Sequence, residues 1–145
     1  MRRALFAGSF DPFTIGHKAI VDRALALFDE VVVAFGVNVA KTPFMPIDER
    51  MERVRRAYHD EPRVRVMSYE CLTVDFARQI DAGFLVRGVR NAVDYEYEKT
   101  IAEANRRLAG IETVLLIADA DTGYVSSSLV RELSKFGKDV TDLIL

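Results

Sequence analysis

The sequence predicts an α/β fold in which a doubly wound, five-stranded parallel sheet carries helices on both faces. Short apolar runs alternate along the whole chain with longer segments whose apolar residues recur at helical spacing. The run Val31–Val33 is β-branched without polar alternation, which is typical of a strand covered on both faces. No repeat, low-complexity tract or linker interrupts this order, so we expect one domain over residues 1–145.

Five apolar segments are predicted strands because they are short and bounded by turn residues. In chain order they are Ala4–Ala7, Glu30–Phe35, Val64–Met67, Phe84–Val86 and Thr113–Ile117. The fourth strand is expected to run on into Arg87 and Gly88.

The segments between and after these strands are predicted helices. Their ranges are Ile15–Phe28, Pro46–Tyr58, Leu72–Ile80, Val93–Leu108 and Ser126–Phe136. Gly110 stands where glycine commonly ends a helix. The long fourth helix has one apolar stripe, which we expect to dock on the sheet and to leave a polar outer face. The stripe consists of Val93, Tyr97, Ile101, Ala104 and Leu108.

Composition excludes several classes of function. Lys and Arg number 20 and Asp and Glu 22, which gives a net charge of −2, whereas a general nucleic-acid binder is normally basic. The single cysteine, Cys71, excludes an intrachain disulfide and a cysteine-based zinc site and favours a reducing compartment. No apolar run approaches the roughly 20 residues that span a bilayer, and Ala4–Ala7 is too short for a signal-peptide core. We expect a cytoplasmic protein without nucleic-acid or membrane partners.

Four segments with unusual residues follow predicted strand ends, and in open parallel sheets such segments meet at one ligand-binding edge. They are Gly8–His17, Asn38–Pro46, Arg87–Arg90 and Ala118–Ser128. This edge lacks the glycine fingerprint of dinucleotide-binding folds and the P-loop. His17 and His59 lie on separate segments, so no paired-histidine metal site is predicted.

The segment Gly8–His17, with the sequence GSFDPFTIGH, carries most of the chemical information. Gly8 permits close approach of backbone to a ligand at the strand end, and Ser9 offers a hydroxyl. Gly16 and His17 fall in the first turn of the next helix, where unpaired N–H groups favour an anion. His17 alone would also fit a helix start without a ligand, and residues 11–12 alone are a turn signal.

Two motifs together resemble the nucleotidylyltransferase superfamily. The segment Gly8–His17 is similar to its first signature, with the Thr/His-x-Gly-His motif, and Val125–Arg131 to its second, the Ile-Ser-Ser-Ser/Thr helix start. Val86–Arg90, Asp94–Glu98 and Asn105–Arg106 further resemble bacterial phosphopantetheine adenylyltransferases, a likeness that extends from residue 3 to about residue 143. The resemblance implies a Rossmann-like nucleotidylyltransferase fold.

The resemblance also implies a reaction and its partners. An adenylyl group passes reversibly from ATP to 4′-phosphopantetheine, giving dephospho-coenzyme A and pyrophosphate, in coenzyme A biosynthesis. The attacking phosphate is already ionised, so this chemistry needs positioning and charge neutralisation rather than a general base. Mg²⁺ is expected to arrive with ATP, and no metal-ligating residue is assigned. A homohexamer is implied as well.

Site residues follow from the resemblance, position by position. The implied catalytic residues are His17, which stabilises the transition state at the α-phosphate, Lys41, which holds the reacting phosphates, and Arg90. The implied ATP-binding residues are Ser9, Phe10, His17, Gly88, Val89, Arg90, Glu98, Thr122, Gly123, Tyr124, Val125, Ser126, Ser127 and Ser128. The implied phosphopantetheine-binding residues are Ser9, Lys41, Thr73 and Arg87.

Several of these residue types also have a structural explanation. A loop lysine such as Lys41 is usually only solvated. Glu98 is compatible with an acidic first helical turn, and the three serines 126–128 are compatible with N-caps. The acidic loop Ala118–Asp121 has no assigned role.

The sequence leaves two alternative functions open. One is another nucleotidylyltransferase, a nicotinate-mononucleotide adenylyltransferase or a cytidylyltransferase, against which Arg87–Arg90 and Asp94–Glu98 argue. The other is a regulatory module that binds ATP without turnover and has no need of Lys41. Apolar residues near the end of the third strand, namely Tyr69, Leu72 and Phe76, exceed what one compact domain needs and favour a symmetric homo-oligomer.

Overall fold

A computed structural model, which describes residues 1–145, contains a single five-stranded sheet in the order β3-β2-β1-β4-β5. Its strands are β1 Arg3–Gly8, β2 Glu30–Gly36, β3 Val64–Tyr69, β4 Phe84–Val89 and β5 Glu112–Ile117. All neighbouring strands pair in parallel. The predicted parallel five-stranded sheet is confirmed. The stretch Arg87–Val89 belongs to β4 itself rather than to the loop after it.

Five α-helices alternate with the strands. They are α1 Ile15–Ala24, α2 Ile47–Ala57, α3 Thr73–Gln79, α4 Ala92–Ala109 and α5 Ser127–Lys135, followed by a 3₁₀ turn at Thr141–Leu143. Helices α1 and α2 cover one face of the sheet, and α3 packs on the opposite face. None of these helices combines the length and the apolar character of a membrane-spanning segment.

The central strands bury both of their faces. In β2, Val31, Val33 and Phe35 join the cluster beneath α1 and α2, whereas Val32 and Ala34 join the cluster beneath α3. Successive strand residues point to opposite sides of the sheet, so a run without polar residues is required here. The two apolar layers leave the carboxyl ends of β1 and β4 as the place where loops from both sides meet.

Helix α1 is shorter than predicted, because it ends at Ala24 rather than at Phe28. After Leu25 the backbone N–H groups of Ala26 and Leu27 bond to carbonyls three residues back, which is the tighter 3₁₀ pattern. This turn places the ring of Phe28 in the core, 5.3 Å from the ring of Phe84.

The predicted docking of the α4 stripe on the sheet is wrong. Val93, Tyr97 and Leu108 are 79%, 65% and 72% exposed, and the one buried residue of α4 is Glu98. The carboxylate of Glu98 meets the side chain of Arg87, which rises from β4. A charged pair therefore occupies the space beneath α4 that an apolar stripe would fill.

The apolar surface predicted near the end of β3 is smaller than expected. Phe76 is buried, and its ring stacks on that of Tyr69 at 4.9 Å. Leu72 alone of the three is strongly exposed, at 69%.

Truncation of Phe28 tests the turn that ends α1. We expect Phe28→Ala to lower the free energy of unfolding by about 3–5 kcal/mol, because it removes a buried ring and leaves a cavity. Phe136→Ala is the matched control, since Phe136 is 71% exposed, and it should cost less than about 0.5 kcal/mol. Urea denaturation measures both, and equal losses would contradict the packing described.

Candidate active site

A cavity of about 290 Å³, here cavity A, lies at the point where the strand order reverses between β1 and β4. It is lined by Gly8 and Ser9 at the end of β1 and by Gly88 of β4. The N-terminal turn of α1 and the loop from β5 to α5 close it. The expectation that strand-end segments would meet at one edge is confirmed for Gly8–His17, Arg87–Arg90 and Ala118–Ser128, whereas no residue of Asn38–Pro46 lines cavity A.

Thr14 positions His17 at the start of α1. The Thr14 hydroxyl caps the helix by accepting from the backbone N–H of His17 at 3.3 Å, and the backbone N–H of Thr14 donates to His17 Nδ1 at 2.9 Å. A backbone N–H can only donate, so Nδ1 carries a lone pair and the ring proton of the neutral imidazole resides on Nε2. His17 can therefore donate a hydrogen bond from Nε2.

The surroundings of His17 keep its imidazole neutral. Burial, followed by the positive charges of Arg87 and Arg90, lowers the pKa of His17 to about 3. The rings of Phe10 and Phe13 lie 4.9 and 5.2 Å from the imidazole. The imidazole is enclosed by these rings and remains partly open toward cavity A.

The loop after β1 turns its aromatic side chains inward. Phe10 has a φ of 46°, in the left-handed region, and its ring packs against Phe6 and Phe35. A Cβ on Gly8 would lie 3.0 Å from that ring, so a larger residue there would require the buried ring to shift. Phe10 thus lines cavity A mainly as part of its apolar floor, 5% exposed.

The start of α5 approaches the start of α1 closely. A Cβ on Gly16 would lie 3.0 Å from the carbonyl oxygen of Val125. Ser126 caps α5 by accepting from the N–H of Leu129, and the Ser127 hydroxyl donates to the carbonyl of Pro12 at 2.7 Å. These two hydroxyls have protein partners, which leaves the unpaired first N–H groups of α5 to face an anion.

Arg87 and Glu98 form a bidentate ion pair in the wall of cavity A. Arg87 Nε donates to Glu98 Oε2 at 2.9 Å and Nη2 to Oε1 at 2.8 Å, while Nη1 donates to the carbonyl of Ala7. Glu98 is 6% exposed and lies in the second turn of α4, so the interpretation as an acidic first turn is wrong for it. Asp94 holds that first-turn position instead.

Arg90 and Asp94 form a second ion pair beside the same cavity. Arg90 Nε lies 3.0 Å from Asp94 Oδ2, and the backbone N–H of Arg90 donates to the same oxygen. Burial raises the pKa of Asp94, but the hydrogen bonds and charge of Arg90 outweigh it and hold that pKa below its ordinary value. Both acidic groups of cavity A are thus matched by arginines.

A second cavity of about 340 Å³, cavity B, lies between α3, α4 and the sheet. It shares Gly8, Arg87 and Glu98 with cavity A. Its remaining walls are mostly apolar, with Thr73 and Asn105 among the polar exceptions. The two cavities are therefore adjacent chambers separated by the Arg87–Glu98 pair.

The structure brings most of the predicted site residues together. Those that line cavity A are Ser9, Phe10, His17, Arg87, Gly88, Arg90, Glu98, Thr122, Val125, Ser126 and Ser127, and Thr73 lines cavity B. Those that line neither are Lys41, Val89, Gly123, Tyr124 and Ser128. Lys41 is exposed in the loop between β2 and α2.

The sequence interpretation missed three parts of the site. It did not identify Asp94 as the partner of Arg90, although the i,i+4 spacing is a signal for it. The Thr14–His17 capping box has the spacing Thr-x-x-His, close to the usual Ser/Thr-x-x-Glu. The apolar residues of α4 were expected to pack on the sheet, whereas several of them, such as Tyr97 and Ile101, line cavity B. Apolar residues at i,i+4 spacing have the same pattern whether the helix face contacts a sheet or a cavity.

No group of three or more His, Cys, Asp or Glu side chains is arranged to hold a metal ion. The two carboxylates that line cavity A, Asp94 and Glu98, are held by Arg90 and Arg87. The cavity can instead bind anions, through arginines and the N–H groups of two helix starts.

Comparison with known proteins agrees with this geometry. The cytidylyltransferase-like family matches residues 5–133. The phosphopantetheine adenylyltransferase of Bacteroides fragilis is 55% identical over 144 residues, covering 99% of this chain and 96% of that protein. The protein of the same name from Bacteroides thetaiotaomicron is 52% identical over 144 residues, covering 99% and 95%.

Solved structures share the fold at low identity. A bifunctional NMN adenylyltransferase/ADP ribose pyrophosphatase from Francisella tularensis matches with a TM-score of 0.76 and 13% identity. The match covers 99% of this chain and 44% of that one. At such identity the likeness concerns the fold alone.

The protonation state of His17 is open to direct measurement. In the ligand-free protein we expect the His17 ring signals in NMR, assigned by their loss in His17→Ala, to stay constant between pH 5 and 8. With a pKa of about 3 the imidazole is neutral over that whole range. A titration midpoint near the ordinary histidine value of about 6.5 would contradict the described surroundings.

Proposed function

The chain belongs to the cytidylyltransferase-like family, among its phosphopantetheine adenylyltransferases, and on that premise we infer that it transfers the adenylyl group of ATP to 4′-phosphopantetheine. The products are dephospho-coenzyme A and pyrophosphate, a step of coenzyme A biosynthesis. The near-full-length match to relatives of that name carries the inference. Neither another nucleotidylyltransferase activity nor an ATP-binding module without turnover is favoured by these relatives.

The two adjacent cavities suit two substrates. Cavity A has helix starts and arginines around it and fits the triphosphate of ATP. Cavity B, apolar with a few polar groups such as Asn105, fits the pantetheine arm, which alternates hydrocarbon with amides. Arg87 lines both cavities, so the acceptor phosphate would lie beside it, next to the α-phosphate.

His17 is proposed to act as a neutral hydrogen-bond donor. The pentavalent phosphorus of the transition state carries more negative charge on its oxygens than ATP does there, and a preorganised donor stabilises that gain. The contact from Thr14 aims the ring and keeps the donor on Nε2. No proton transfer is required, because the attacking phosphate oxygen is already ionised.

Positive charge is proposed to reach the reacting phosphates from two sides. Arg87 and Arg90 stand on the β4 side of cavity A. Lys41 would approach from the loop before α2, which lies on the β2 side of the sheet. The first N–H groups of α1 and α5 would hold the β- and γ-phosphates that leave as pyrophosphate.

Mg²⁺ is proposed to enter with ATP. The carboxylates of cavity A are engaged by arginines, so the ion would be bound through phosphate oxygens and water, which is its usual habit. The ion would supply further neutralisation of the triphosphate.

A homohexamer and a cytoplasmic location are also proposed. Val93 and Tyr95 at the start of α4 are 79% and 44% exposed, line neither cavity, and leave a surface that a second copy would cover. The single cysteine, Cys71, is exposed and unpaired, which suits a reducing compartment supplied with ATP.

Replacement of His17 tests the function and the role together. The unmodified protein should release pyrophosphate from ATP and Mg²⁺ when phosphopantetheine is present, and should not do so with nicotinate mononucleotide. His17→Ala should lower kcat by about 10²–10³-fold with little change in the KM for ATP, because one transition-state donor is lost.

The control is His59→Ala, because the His59 side chain is 73% exposed and does not line cavity A. It should retain full turnover. An inactive unmodified protein would refute the function, whereas a fully active His17→Ala variant would refute only the role of His17.

Charge on the exposed α4 surface tests the assembly. Light scattering should give the 16.3 kDa chain a mass about six times that value. Val93→Glu should reduce the mass, because it buries a charge in the contact, whereas Thr100→Glu on the same helix should not. A monomeric unmodified protein would contradict the proposed hexamer.

A further inference from the structure

We propose that Asp11 and Arg50 are positioning residues, which together anchor the loop that carries Lys41 to the substrate-binding loop after β1. Neither residue touches the substrates in this proposal. The inference rests on the proposed function, because its consequence is the placement of Lys41 over the reacting phosphates.

Asp11 uses both carboxylate oxygens on the loop before α2. Oδ2 accepts from the backbone N–H of Phe44 at 2.7 Å, and Oδ1 accepts from the N–H of Met45 at 2.9 Å. The Asp11 side chain is 15% exposed, so these charge-assisted bonds are largely shielded from water. The Asp11 side chain thus links two loops between which no backbone–backbone hydrogen bond forms.

Arg50 makes the same connection from α2. Its Nε donates to the carbonyl of Met45 at 2.8 Å, and its Nη1 donates to the carbonyl of Ser9. Nε also lies 3.7 Å from Asp11 Oδ1. The residue is 7% exposed, and a buried guanidinium is retained only where such partners compensate for lost hydration.

The anchored loop is otherwise held only at its ends. Residues 38–44 are all exposed, while Met45 is buried. At the β2 end, the N–H of Val37 bonds to the carbonyl of Tyr69, and Asn38 accepts from the N–H groups of Ala40 and Lys41. Lys41 stands between this short turn and the Asp11 anchor.

The chain between Lys41 and the anchor is short. Only Thr42 and Pro43 separate Lys41 from Phe44, and proline restricts the backbone on both sides of its bond. Three residues span at most about 10–11 Å. The Asp11 anchor therefore limits where the Lys41 ammonium can lie relative to Ser9, whose carbonyl is held by the same Arg50.

A merely structural role is the competing explanation, and a double-mutant cycle separates the two. The variants are Asp11→Asn, Lys41→Ala and their combination, assayed for kcat with saturating ATP, Mg²⁺ and phosphopantetheine. Asp11→Asn keeps the size of the side chain but places an NH₂ group against a backbone donor. We expect it to lower kcat by about 10–100-fold through misplacement of Lys41.

The combined variant decides the outcome. If Asp11 acts through Lys41, the double variant should have the kcat of Lys41→Ala alone. Multiplicative losses would overturn the proposal, and so would a Lys41→Ala variant with normal kcat. An inactive unmodified protein would instead refute the proposed function.

Glu30→Gln is the matched control. The Glu30 side chain is 14% exposed and paired with Arg3, and it lies at the opposite end of the sheet. It should lose stability without loss of kcat in the folded fraction. If Asp11→Asn folds poorly, Arg50→Lys replaces it in the double-mutant cycle with Lys41→Ala. Lysine keeps the positive charge but cannot bond to the carbonyls of both Met45 and Ser9. The same outcomes then support or overturn the proposal.

Discussion

The Arg87–Glu98 pair is the interaction on which the geometry of the site depends. It joins β4 to α4, and through the carbonyl of Ala7 it also ties β1 to β4 at the point where the strand order reverses. A buried ion pair often contributes little net stability, because two charges lose hydration. The pair instead determines the shape of the site. It separates cavity A from cavity B, and the Arg87 side chain lines both. Beside this pair, the stripe residues Tyr97, Ile101 and Leu108 line cavity B instead of packing on the sheet.

The electrostatics of cavity A follow from this arrangement. Burial and, after it, the charges of Arg87 and Arg90 keep His17 neutral, while Glu98 and Asp94 balance the two arginines. Neutrality matters because the helix start already supplies fixed positive potential, and a neutral donor of defined tautomer needs no proton uptake before the reaction. Thr14 completes the arrangement by using its own backbone N–H to set the tautomer.

Strands and the starts of helices could be predicted from the sequence, because apolar periodicity and capping residues act locally. The end of α1 could not, since residues 25–28 satisfy helical spacing and a 3₁₀ turn equally, and the packing of Phe28 decides between them. The Gly8–His17 motif identified the loop of cavity A. Cavity B escaped prediction because an i,i+4 apolar stripe has the same pattern whether it meets a sheet or an open chamber. The partner of Glu98 escaped as well, because the pairing is set by the crossing of α4 over β4.

The first motif combines residues that face the ligand with residues that hold the loop, and the division has a physical cause. A loop that presents N–H groups to an anion must turn many of its side chains toward the protein. The rings of Phe10 and Phe13 accordingly enter the core, and the Asp11 carboxylate bonds to the neighbouring loop. The carbonyls of residues 11 and 12 accept from Arg131 and Ser127 on α5. Because α2 and α5 hold the loop from both sides, its backbone is fixed by contacts within the protein, and little ordering would remain to oppose the proposed binding of an anion.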